Sequence, residues 1–315
     1  MANILVTGGS GFVGSCMAER LIADPENYVV IMDDLSTGSD TKLPSKELSN
    51  WRFVKGNVNV YRDIAEVMLS TNFDYVFHYA ALVGVKRTQD NPVAVLEDIQ
   101  GFKNVLDLAK NTGVKRVYFS SSSEVYGEPV ELPQHEETTP LNSRVPYAVV
   151  KNVGESFVKS YEKEFGLEYT IFRFFNTYGP KQSTDFVMSK FMNKALKNED
   201  ITIYGNGNQT RTFCFVDDNV EACYQAFNQN KVVNDVMNVG GETEITILEL
   251  AKIIIKLTNS ESKIVHLPAL KEGDMMRRCP DNSKMKTLLG TELLALEKGI
   301  KKVLNSEYFN KYTIS

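Results

Sequence analysis

Short apolar runs alternate with longer amphipathic segments from the first residue to about residue 175. The runs are rich in β-branched and aromatic residues, and the segments between them have the period of helices. Runs that are apolar throughout are typical of strands covered on both faces, as in a parallel sheet. The pattern therefore predicts βαβ units. The six predicted strands are Ile4–Thr7, Tyr28–Met32, Arg52–Lys55, Tyr75–His78, Arg116–Ser120 and Tyr169–Phe174.

The second half of the chain continues this alternation less regularly. Residues 217–227 carry Val220 and Phe227 at helical spacing, and the sequence VMNVGG after them is typical of a strand that ends in a turn. A helix is predicted next, because Thr246 with Glu249 three residues later forms a capping box ahead of an apolar stripe. We find no internal repeat and no low-complexity linker, so these segments are expected to build a second, smaller domain.

Composition and charge exclude several classes of protein. The chain has 315 residues, 43% of them hydrophobic, a formal net charge of −5 and a pI near 5.5. Such a chain buries a large core, offers no basic face to a nucleic acid and contains no apolar stretch long enough to cross a bilayer. Its first residues are apolar without a charged leader, so we expect a strand there and no signal peptide. Four cysteines without a CxxC pair and only three histidines argue against a metal site and favour reduced thiols in a cytoplasmic protein.

A glycine-rich loop follows the first predicted strand. In VTGGSGFVG, the residues Gly8, Gly11 and Gly14 recur every three positions before an amphipathic helix. Glycines there let the backbone approach a pyrophosphate at the helix N-terminus, although the same spacing also makes a tight turn. Asp33 closes the second strand, where a carboxylate meets the ribose hydroxyls of NAD and repels the 2′-phosphate of NADP; the alternative is a turn or helix cap. Together these features predict an NAD site.

A tyrosine and a lysine lie four residues apart in PYAVVKNVGESF. Tyr147 and Lys151 therefore share one face of the predicted helix. A phenol of ordinary pKa about 10 is a poor base at neutral pH, but a neighbouring ammonium and a cationic nicotinamide stabilise its phenolate, which then takes a hydroxyl proton. Such pairs are also common on solvated helix faces. Beside a dinucleotide loop, the pair predicts oxidation of a hydroxyl group.

Eight motifs occur in the order typical of one enzyme family. They are TGGSGFVG, DDLSTG, HYAA, SSSSEVYG, YAVVK, RFFNTYGP, YGNGNQTRTFCFVDD and RRCPDNSK. Over nearly its whole length the chain resembles the extended short-chain dehydrogenase/reductase family, specifically its nucleotide-sugar epimerases, dehydratases and decarboxylases. The resemblance implies an α/β fold whose Rossmann-type, doubly wound parallel sheet binds NAD and is formed by residues 1–175 and 213–240. It also implies a smaller C-terminal domain for a nucleotide-diphosphate sugar from residues 176–212 and 241–315, a substrate cleft between the domains, and a homodimer through helices near Val93–Lys110 and Tyr147–Glu164.

The resemblance assigns catalytic and cofactor roles to individual residues. Ser122 occupies the position of the family's catalytic hydroxyl, beside Tyr147 and Lys151. The other three serines of SSSSEVYG are expected to be polar residues at the strand end. The implied cofactor-binding residues are Gly8, Gly11, Phe12, Val13, Gly14, Asp33, Asn57, Val58, Ala80, Ala81, Tyr147 and Lys151.

The resemblance also implies three residues that hold the substrate diphosphate. Asn176 in RFFNTYGP matches the family's residue for this task, with Arg211 and one of Arg277 or Arg278 as cationic partners. Arginine suits a diphosphate because its planar fork meets two phosphate oxygens at once, although each arginine is equally compatible with a surface side chain. We choose Arg278, because the decarboxylases share an arginine two residues before a proline, here Pro280.

Several positions depart from the family's pattern. Asn57 stands where an aspartate usually faces the adenine amino group, and Asp98 stands where asparagine is common. Val150 replaces a frequent serine before the lysine, which suggests apolar packing at this position. His78 in HYAA is expected to be a buried, hydrogen-bonded side chain and not an acid or base. None of these changes removes the catalytic pair.

Glu124 bears on the choice between subclasses. A 4-epimerase needs only serine, tyrosine and lysine to oxidise C4, whereas the 4,6-dehydratases carry an Asp–Glu pair at positions 123 and 124. The nucleotide-glucuronate decarboxylases resemble this sequence more closely, with Ser–Glu before Val-Tyr-Gly, but some mannose-type dehydratases also carry Ser–Glu. A structural role for Glu124, bonding backbone N–H groups near the strand end, is equally open.

The predicted function is NAD-dependent oxidation at C4 of a nucleotide-diphosphate sugar. A C4 ketone acidifies the C5 proton and turns a C6 carboxylate into a β-keto acid that loses CO₂. We favour a UDP-glucuronate decarboxylase with Ser122, Glu124, Tyr147 and Lys151 as catalytic residues. The alternatives are a 4-epimerase, a 4,6-dehydratase, or a C4 dehydrogenase that releases the 4-keto sugar. A regulator that senses NAD without turnover is the non-enzyme alternative, and retention of the serine, tyrosine and lysine argues against it.

Overall fold

The computed structural model describes residues 2–269 and 275–312 of the chain. Thirteen strands and eleven α-helices lie in these ranges. The strands are β1 Ala2–Thr7, β2 Asn27–Asp33, β3 Trp51–Lys55, β4 Tyr75–His78, β5 Arg116–Ser122, β6 Glu168–Phe174, β7 Thr177–Tyr178, β8 Ile201–Tyr204, β9 Thr210–Thr212, β10 Cys214–Phe215, β11 Asp235–Val239, β12 Glu244–Thr246 and β13 Ile264–Leu267. The helices are α1 Phe12–Ile22, α2 Tyr61–Ser70, α3 Val85–Asp90, α4 Pro92–Thr112, α5 Pro146–Phe165, α6 Val187–Leu196, α7 Val216–Asn228, α8 Ile247–Thr258, α9 Ser283–Leu289, α10 Leu296–Leu304 and α11 Glu307–Tyr312.

Seven strands form the main sheet, in the order β11-β6-β5-β4-β1-β2-β3. Every pairing from β3 to β6 is parallel. All six strands predicted in the first half lie in this sheet, as does the strand predicted from VMNVGG, so the α/β, Rossmann-type fold is confirmed. Successive strands are added outward in opposite directions from β1 and β4. The carboxyl ends of these two strands therefore form the crevice where sheets of this kind bind ligands.

Helices cover both faces of the main sheet. On one face, α2, α4 and α5 bury side chains such as Phe102 and Val158 in a continuous apolar core. On the other face, Phe77 and Tyr118 stack with ring centroids 4.3 Å apart, and Phe227 packs edge-on against both rings. Because apolar layers lie on both sides, the strands read as continuous hydrophobic runs and not as alternating ones.

The chain divides into two compact units. The first comprises Met1–Val125, Ser143–Phe174 and Val220–Met237, and it holds strands β1 to β6. The second comprises Tyr126–Asn142, Phe175–Asn219 and Asn238–Ser315.

These boundaries differ from the predicted ones. Residues 126–142, 175, 213–219 and 238–240 were expected in the dinucleotide-binding domain but belong to the second unit. The reason is clearest at Gln134, whose backbone N–H donates to the Cys279 carbonyl (2.7 Å) and whose carbonyl accepts from the side-chain amide of Asn238 (2.9 Å). Hydrogen bonds over such separations in sequence leave no periodic signal, which is why the sequence alone divides the chain differently there.

The second unit contains three two-stranded sheets and most of the later helices. Strands β7 and β10 pair in parallel, as do β8 and β13, whereas β9 and β12 are antiparallel. The predicted capping box of α8 is confirmed, because Thr246 Oγ1 accepts from the Glu249 backbone N–H (3.0 Å) and the Glu249 carboxylate accepts from the Thr246 backbone N–H (2.9 Å). This cap fixes the start of α8, whose residues Leu250 and Ile254 are buried.

Candidate functional site

The glycine loop between β1 and α1 depends on the absence of side chains at two positions. Gly8 has φ +68°, and a Cβ there would lie 2.5 Å from the backbone nitrogen of Ala80 at the end of β4. A Cβ on Gly14 would lie 2.3 Å from the Gly8 carbonyl oxygen. Only glycine allows the loop to pass this close to the end of β4 and to itself. The backbone of the loop therefore lies at the crevice with no side chain in front of it at these positions.

The N-terminus of α1 is suited to an anion. Its N-cap residue, Gly11, carries no capping side chain, and the first turn of the helix contains no acidic residue. Within the part of the chain that the structure describes, the backbone N–H groups of Phe12 and Val13 meet no acceptor. These free donors and the positive end of the helix dipole fit a pyrophosphate.

Asp33 lies at the carboxyl end of β2 and holds the glycine loop. Its carboxylate accepts from the backbone N–H groups of Ser10 (3.0 Å) and Leu35 (2.8 Å). Burial raises the pKa of this carboxyl and the two N–H groups oppose the rise. Each oxygen retains a further lone pair, so the carboxylate is able to accept from ribose hydroxyls as well. The loop, the helix N-terminus and this acid together fit the adenosine half of NAD.

The remaining predicted cofactor residues lie at the same edge of the sheet. The Gly56 backbone N–H donates to the Asp33 carbonyl (3.1 Å), which places Asn57 and Val58 beside the end of β2. The Ala80 backbone N–H donates to Thr7 Oγ1 (3.4 Å). Ala81 follows it and is half-buried. The ends of β1 to β4 thus bring every one of these residues to the crevice edge.

Tyr147 and Lys151 lie on the first turns of α5. The Lys151 ammonium donates to the Ser120 carbonyl on β5 (2.7 Å) and lies 5.8 Å from the centre of the Tyr147 ring. Burial lowers the pKa of Lys151 from 10.5 to about 8, and the negative charge of Asp98 on α4 opposes that fall. At neutral pH the group is still mostly an ammonium, the form that stabilises a nearby phenolate.

The four serines of SSSSEVYG have different surroundings. Ser122, at the end of β5, accepts the Glu124 backbone N–H at its Oγ (3.2 Å). The Ser121 hydroxyl donates to Glu155 on α5 (2.6 Å), whereas Ser123 is buried and begins a 3₁₀ turn. The Glu124 side chain is half-buried in that turn. The structure therefore brings Ser122 and Glu124 together.

A buried ion pair between α5 and β6 was not predicted from the sequence. Glu155 accepts from the Arg173 guanidinium through both carboxylate oxygens (2.9 and 2.7 Å), and the two side chains are 1% and 2% exposed. With the bond to Ser121, this pair links α5 to β5 and β6 one turn beyond Lys151. The sequence does carry a signal for this pair: Glu155 lies four residues after Lys151, and Arg173 stands inside an otherwise apolar strand.

His78 is a buried, neutral side chain. Its Nδ1 is hydrogen-bonded to Thr7 Oγ1 (2.8 Å), and burial lowers its pKa to about 3. Asp98 is also buried; its carboxylate accepts from the backbone N–H of Leu82 (2.8 Å). Burial raises the Asp98 pKa, and the Lys151 charge opposes this rise. Asp98 is thus the acid that acts electrostatically on Lys151, a role for which no prediction was made.

The predicted diphosphate residues lie in the second unit. Asn176 has φ +34° and donates its side-chain amide to the Thr212 carbonyl (3.0 Å), next to Arg211 on β9. The Arg211 side chain is buried and donates to the Thr210 carbonyl (2.7 Å). The other two candidates lie shortly before α9: Arg278 is 7% exposed, whereas the Arg277 side chain is 53% exposed and forms an ion pair with Glu244.

All four cysteines lie within residues 2–269 and 275–312, the ranges that the structure describes. The four cysteines are free thiols, of which Cys214 and Cys223 are buried. In those ranges no three histidine, cysteine, aspartate or glutamate side chains lie close enough together to hold a metal ion. No helix there is long and apolar enough to span a bilayer.

Known proteins resemble the chain over nearly all of its length. A protein from Methanocaldococcus jannaschii, provisionally named a UDP-glucose 4-epimerase, is 34% identical over 308 residues, which cover 96% of this chain and 97% of that one. UDP-glucuronic acid decarboxylase 1 of Danio rerio is 35% identical over 317 residues, covering 98% of this chain and 73% of the relative. The crystal structure of UDP-glucose 4-epimerase from Thermotoga maritima with UDP-glucose has a TM-score of 0.90 and 32% identity, covering 98% of this chain and 99% of that one.

The model of one protein family also matches the chain. It describes the NAD dependent epimerase/dehydratase family and matches residues 4–240. The predicted resemblance is confirmed, and with it the prediction of an NAD-dependent enzyme. The chain belongs to the NAD-dependent epimerase/dehydratase family.

Proposed function

We propose that the protein oxidises a nucleotide-diphosphate sugar at C4 and that its substrate is UDP-glucuronate, which it decarboxylates. The observation that carries the proposal is the position of Tyr147 and Lys151 on α5, with the lysine bonded to β5 two residues before Ser122. This group lies at the carboxyl end of the sheet, the same edge as the glycine loop. A base, its cation and a hydroxyl beside a dinucleotide site are what oxidation of an alcohol requires.

The crevice edge would hold NAD through the residues described above. The α1 N-terminus would take the pyrophosphate, and Asp33 the adenosine ribose. Asn57, Val58, Ala80 and Ala81 would line the rest of the site. NAD, when bound, supplies the acceptor for the hydrogen removed from C4 of the sugar.

The residues of the chain handle the proton of the C4 hydroxyl. Tyr147, as phenolate, takes that proton, and the Lys151 ammonium stabilises the phenolate charge. Ser122 Oγ accepts from the Glu124 backbone N–H, so its own O–H is left to donate to the sugar oxygen. The bond of Lys151 to the Ser120 carbonyl keeps the ammonium near the tyrosine.

Glu124 and the named relatives support decarboxylation as the outcome. Once C4 is a ketone, the C5–C6 bond of a glucuronate breaks with its electron pair passing to C5 and the C4 oxygen, and CO₂ leaves. A proton must then be added at C5, and the hydride that bound NAD would have accepted would return to C4, so that the product is lighter by CO₂ alone. We assign Glu124 to that proton, because its half-buried side chain lies in the 3₁₀ turn that directly follows Ser122. The relative from Danio rerio carries the name of this activity.

A 4-epimerase is the second candidate, favoured by the similarity to the UDP-glucose 4-epimerase of Thermotoga maritima. Such an enzyme needs the serine, the tyrosine and the lysine, and Glu124 would have no part in its reaction. A 4,6-dehydratase would use Glu124 as a base at C5, and a C4 dehydrogenase would release the ketone. A regulator that only senses NAD would turn over no sugar.

The second unit would hold the diphosphate of the substrate. Arg211 and Arg278 are buried cations, and their planar guanidinium groups suit phosphate oxygens. Asn176 would add an amide donor. Arg277 is the weaker candidate, because Glu244 already neutralises it at the surface.

We also propose a cytoplasmic homodimer formed through α4 and α5. The two helices pack on each other, and their surface carries exposed apolar side chains, with Val93 71% and Leu96 44% exposed. Val149 on α5 is also exposed. Light scattering of the protein and of Leu96→Glu tests the dimer: a monomer in the unsubstituted protein would contradict it. The reduced thiols are consistent with the proposed compartment.

The product of the reaction distinguishes these functions. The protein is incubated with UDP-, GDP-, CDP- and dTDP-sugars, UDP-glucuronate among them, and products are weighed by mass spectrometry. Loss of CO₂ from UDP-glucuronate is expected. Loss of water would mean a dehydratase, unchanged mass with an altered sugar an epimerase, and loss of two hydrogens a C4 dehydrogenase. An inactive panel would favour the regulator.

Variants tie the reaction to its residues. Tyr147→Phe is expected to slow turnover by about a hundredfold or more, because a general base is lost. The control Tyr161→Phe lies on the same helix and removes a hydroxyl bonded to Asp107, so activity should persist. Glu124→Gln should slow CO₂ release, whereas the exposed Glu128→Gln should not.

A further inference from the structure

The residues proposed to carry out the oxidation lie on two different elements. Tyr147 and Lys151 belong to α5, whereas Ser122 is the last residue of β5. Oxidation of an alcohol tolerates only small errors in these positions, since a misplacement of about 1 Å can slow an enzyme by about a hundredfold. The contacts that hold α5 against the end of β5 therefore bear directly on the rate of the reaction.

Two contacts hold α5 close to β5 without fixing its position along the strand. The Lys151 ammonium donates to the Ser120 carbonyl (2.7 Å), but the flexible stem of a lysine lets its ammonium keep such a bond while the helix moves. A Cβ on Gly154 would lie 2.3 Å from the Cζ atom of Phe119, so this ring lies against the helix backbone. The ring sets the distance between the two elements, but an apolar contact is non-directional. A directional contact is needed to define the position of the helix along the strand.

The hydrogen bond between Ser121 and Glu155 is such a contact. The Ser121 hydroxyl donates to the Glu155 carboxylate (2.6 Å), one helical turn after Lys151. Arg173 holds that carboxylate in turn, donating to both of its oxygens (2.9 and 2.7 Å), and it is paired with Ser121 in the register of β5 and β6. Ser121, Glu155 and Arg173 are each at most 2% exposed. A short, charge-assisted bond between a short side chain and an immobilised carboxylate is strong and directional in such surroundings.

We propose that Ser121 and Glu155 are positioning residues of the active site. Their hydrogen bond sets where Tyr147 and Lys151 on α5 lie relative to Ser122 on β5. Ser121 is suited to this task because it directly precedes Ser122 and directly follows the residue whose carbonyl accepts from Lys151. A shift of its hydroxyl relative to α5 would therefore move both halves of the site apart. The inference rests on the proposed C4 oxidation and adds to it the residues that align the two elements.

The test compares Ser121→Ala with a control on the same helix. Ser121→Ala removes the bond but leaves the buried ion pair intact, because Arg173 still donates to both oxygens of Glu155. Val158→Ala is the control: the side chain of Val158 is 2% exposed, and its truncation loosens the packing of α5 without removing a side-chain hydrogen bond. Each protein is assayed with the sugar nucleotide that the unsubstituted protein converts in the panel above. The rate is expressed per folded molecule with NAD bound, measured by circular dichroism and by the cofactor released on denaturation.

The split between kcat and KM distinguishes positioning from a purely structural role. Ser121→Ala should lower kcat by about tenfold with KM within about twofold, because misalignment acts on the chemical step and no residue proposed to bind the sugar nucleotide is changed. Val158→Ala should keep kcat within about threefold. A kcat of Ser121→Ala within about twofold of the unsubstituted protein would overturn the inference, and so would an equal fall in both variants. An unsubstituted protein that converts no sugar in the panel would instead contradict the proposed function, and the inference with it.

Discussion

Replacing Lys151 by methionine is expected to change how stability depends on pH. The ammonium is buried, donates to the Ser120 carbonyl (2.7 Å), and has its pKa lowered by burial from 10.5 to about 8. Methionine has a similar length and no charge, so it removes the titrating group while largely filling its space. Comparison with this variant therefore measures how much the buried ammonium destabilises the folded protein.

The magnitude follows from the gap between the folded and unfolded pKa values of Lys151. A fall from 10.5 to about 8 disfavours the protonated form in the folded state by about 3 kcal/mol. Because the folded pKa is the lower one, the unfolded chain binds more protons between these values, so stability rises with pH in this window. Below pH 8 the buried ammonium destabilises the folded state by this full amount, and above pH 10.5 it no longer does so. Between pH 7 and pH 9.5 the free energy of unfolding should therefore rise by about 2 kcal/mol.

Urea unfolding at pH 7, 8.5 and 9.5 measures this effect. The free energy of unfolding of the unsubstituted protein, relative to Lys151→Met, should rise by about 2 kcal/mol over that range. Lys159→Met on the same helix is the control: its side chain is 44% exposed, so its difference from the unsubstituted protein should stay constant. A constant difference for Lys151→Met as well would refute the buried ammonium of lowered pKa.

Three further substitutions have defined outcomes. Gly14→Ala puts a Cβ 2.3 Å from a carbonyl oxygen of the glycine loop, so urea unfolding should show the free energy of unfolding lowered by more than about 2 kcal/mol. The control Gly113→Ala, with open space around φ +79°, should lower it by about 1 kcal/mol. Equal losses for the two variants would contradict the packing argument. Asp33→Ala should raise NADP affinity relative to NAD in titrations, and an unchanged ratio would count against its role at the ribose. Glu155→Gln leaves the buried Arg173 without its counter-ion and should lower the free energy of unfolding by about 3–5 kcal/mol; a loss below about 1 kcal/mol would contradict it.

The parts of the fold that the sequence predicts are those with a local signal. The strands of the main sheet are continuous apolar runs because helices cover both faces, and the run that ends at Asp33 also carries the acid of the NAD site. Gly8 and Gly14 are predictable from the sequence because the close backbone contacts of this loop leave room only for glycine. The spacing of Tyr147 and Lys151 is visible because a helix repeats every 3.6 residues.

The parts that escaped prediction depend on contacts between residues distant in sequence. Glu155 and Arg173 pair across a helix and a strand, and only folding brings the Ser121 hydroxyl to them. Residues 126–142 join the second unit through hydrogen bonds to positions more than a hundred residues later. The turn at Asn57 is closed by one hydrogen bond inside a loop, from the Asn59 backbone N–H to the Asn57 side-chain oxygen, which composition and periodicity do not encode.

The most direct test of C4 oxidation follows the hydrogen at that carbon. The protein is incubated with UDP-glucuronate carrying deuterium at C4, the reaction is quenched, and the masses of the sugar nucleotide and of the released cofactor are measured. The proposed function predicts a product that is lighter by CO₂ alone and retains the deuterium; if the reaction is quenched before C4 is reduced again, the deuterium is in the cofactor and the sugar is the ketone. Deuterium lost to water during CO₂ release would contradict it, because C4 would then have given up a proton and not been oxidised by NAD.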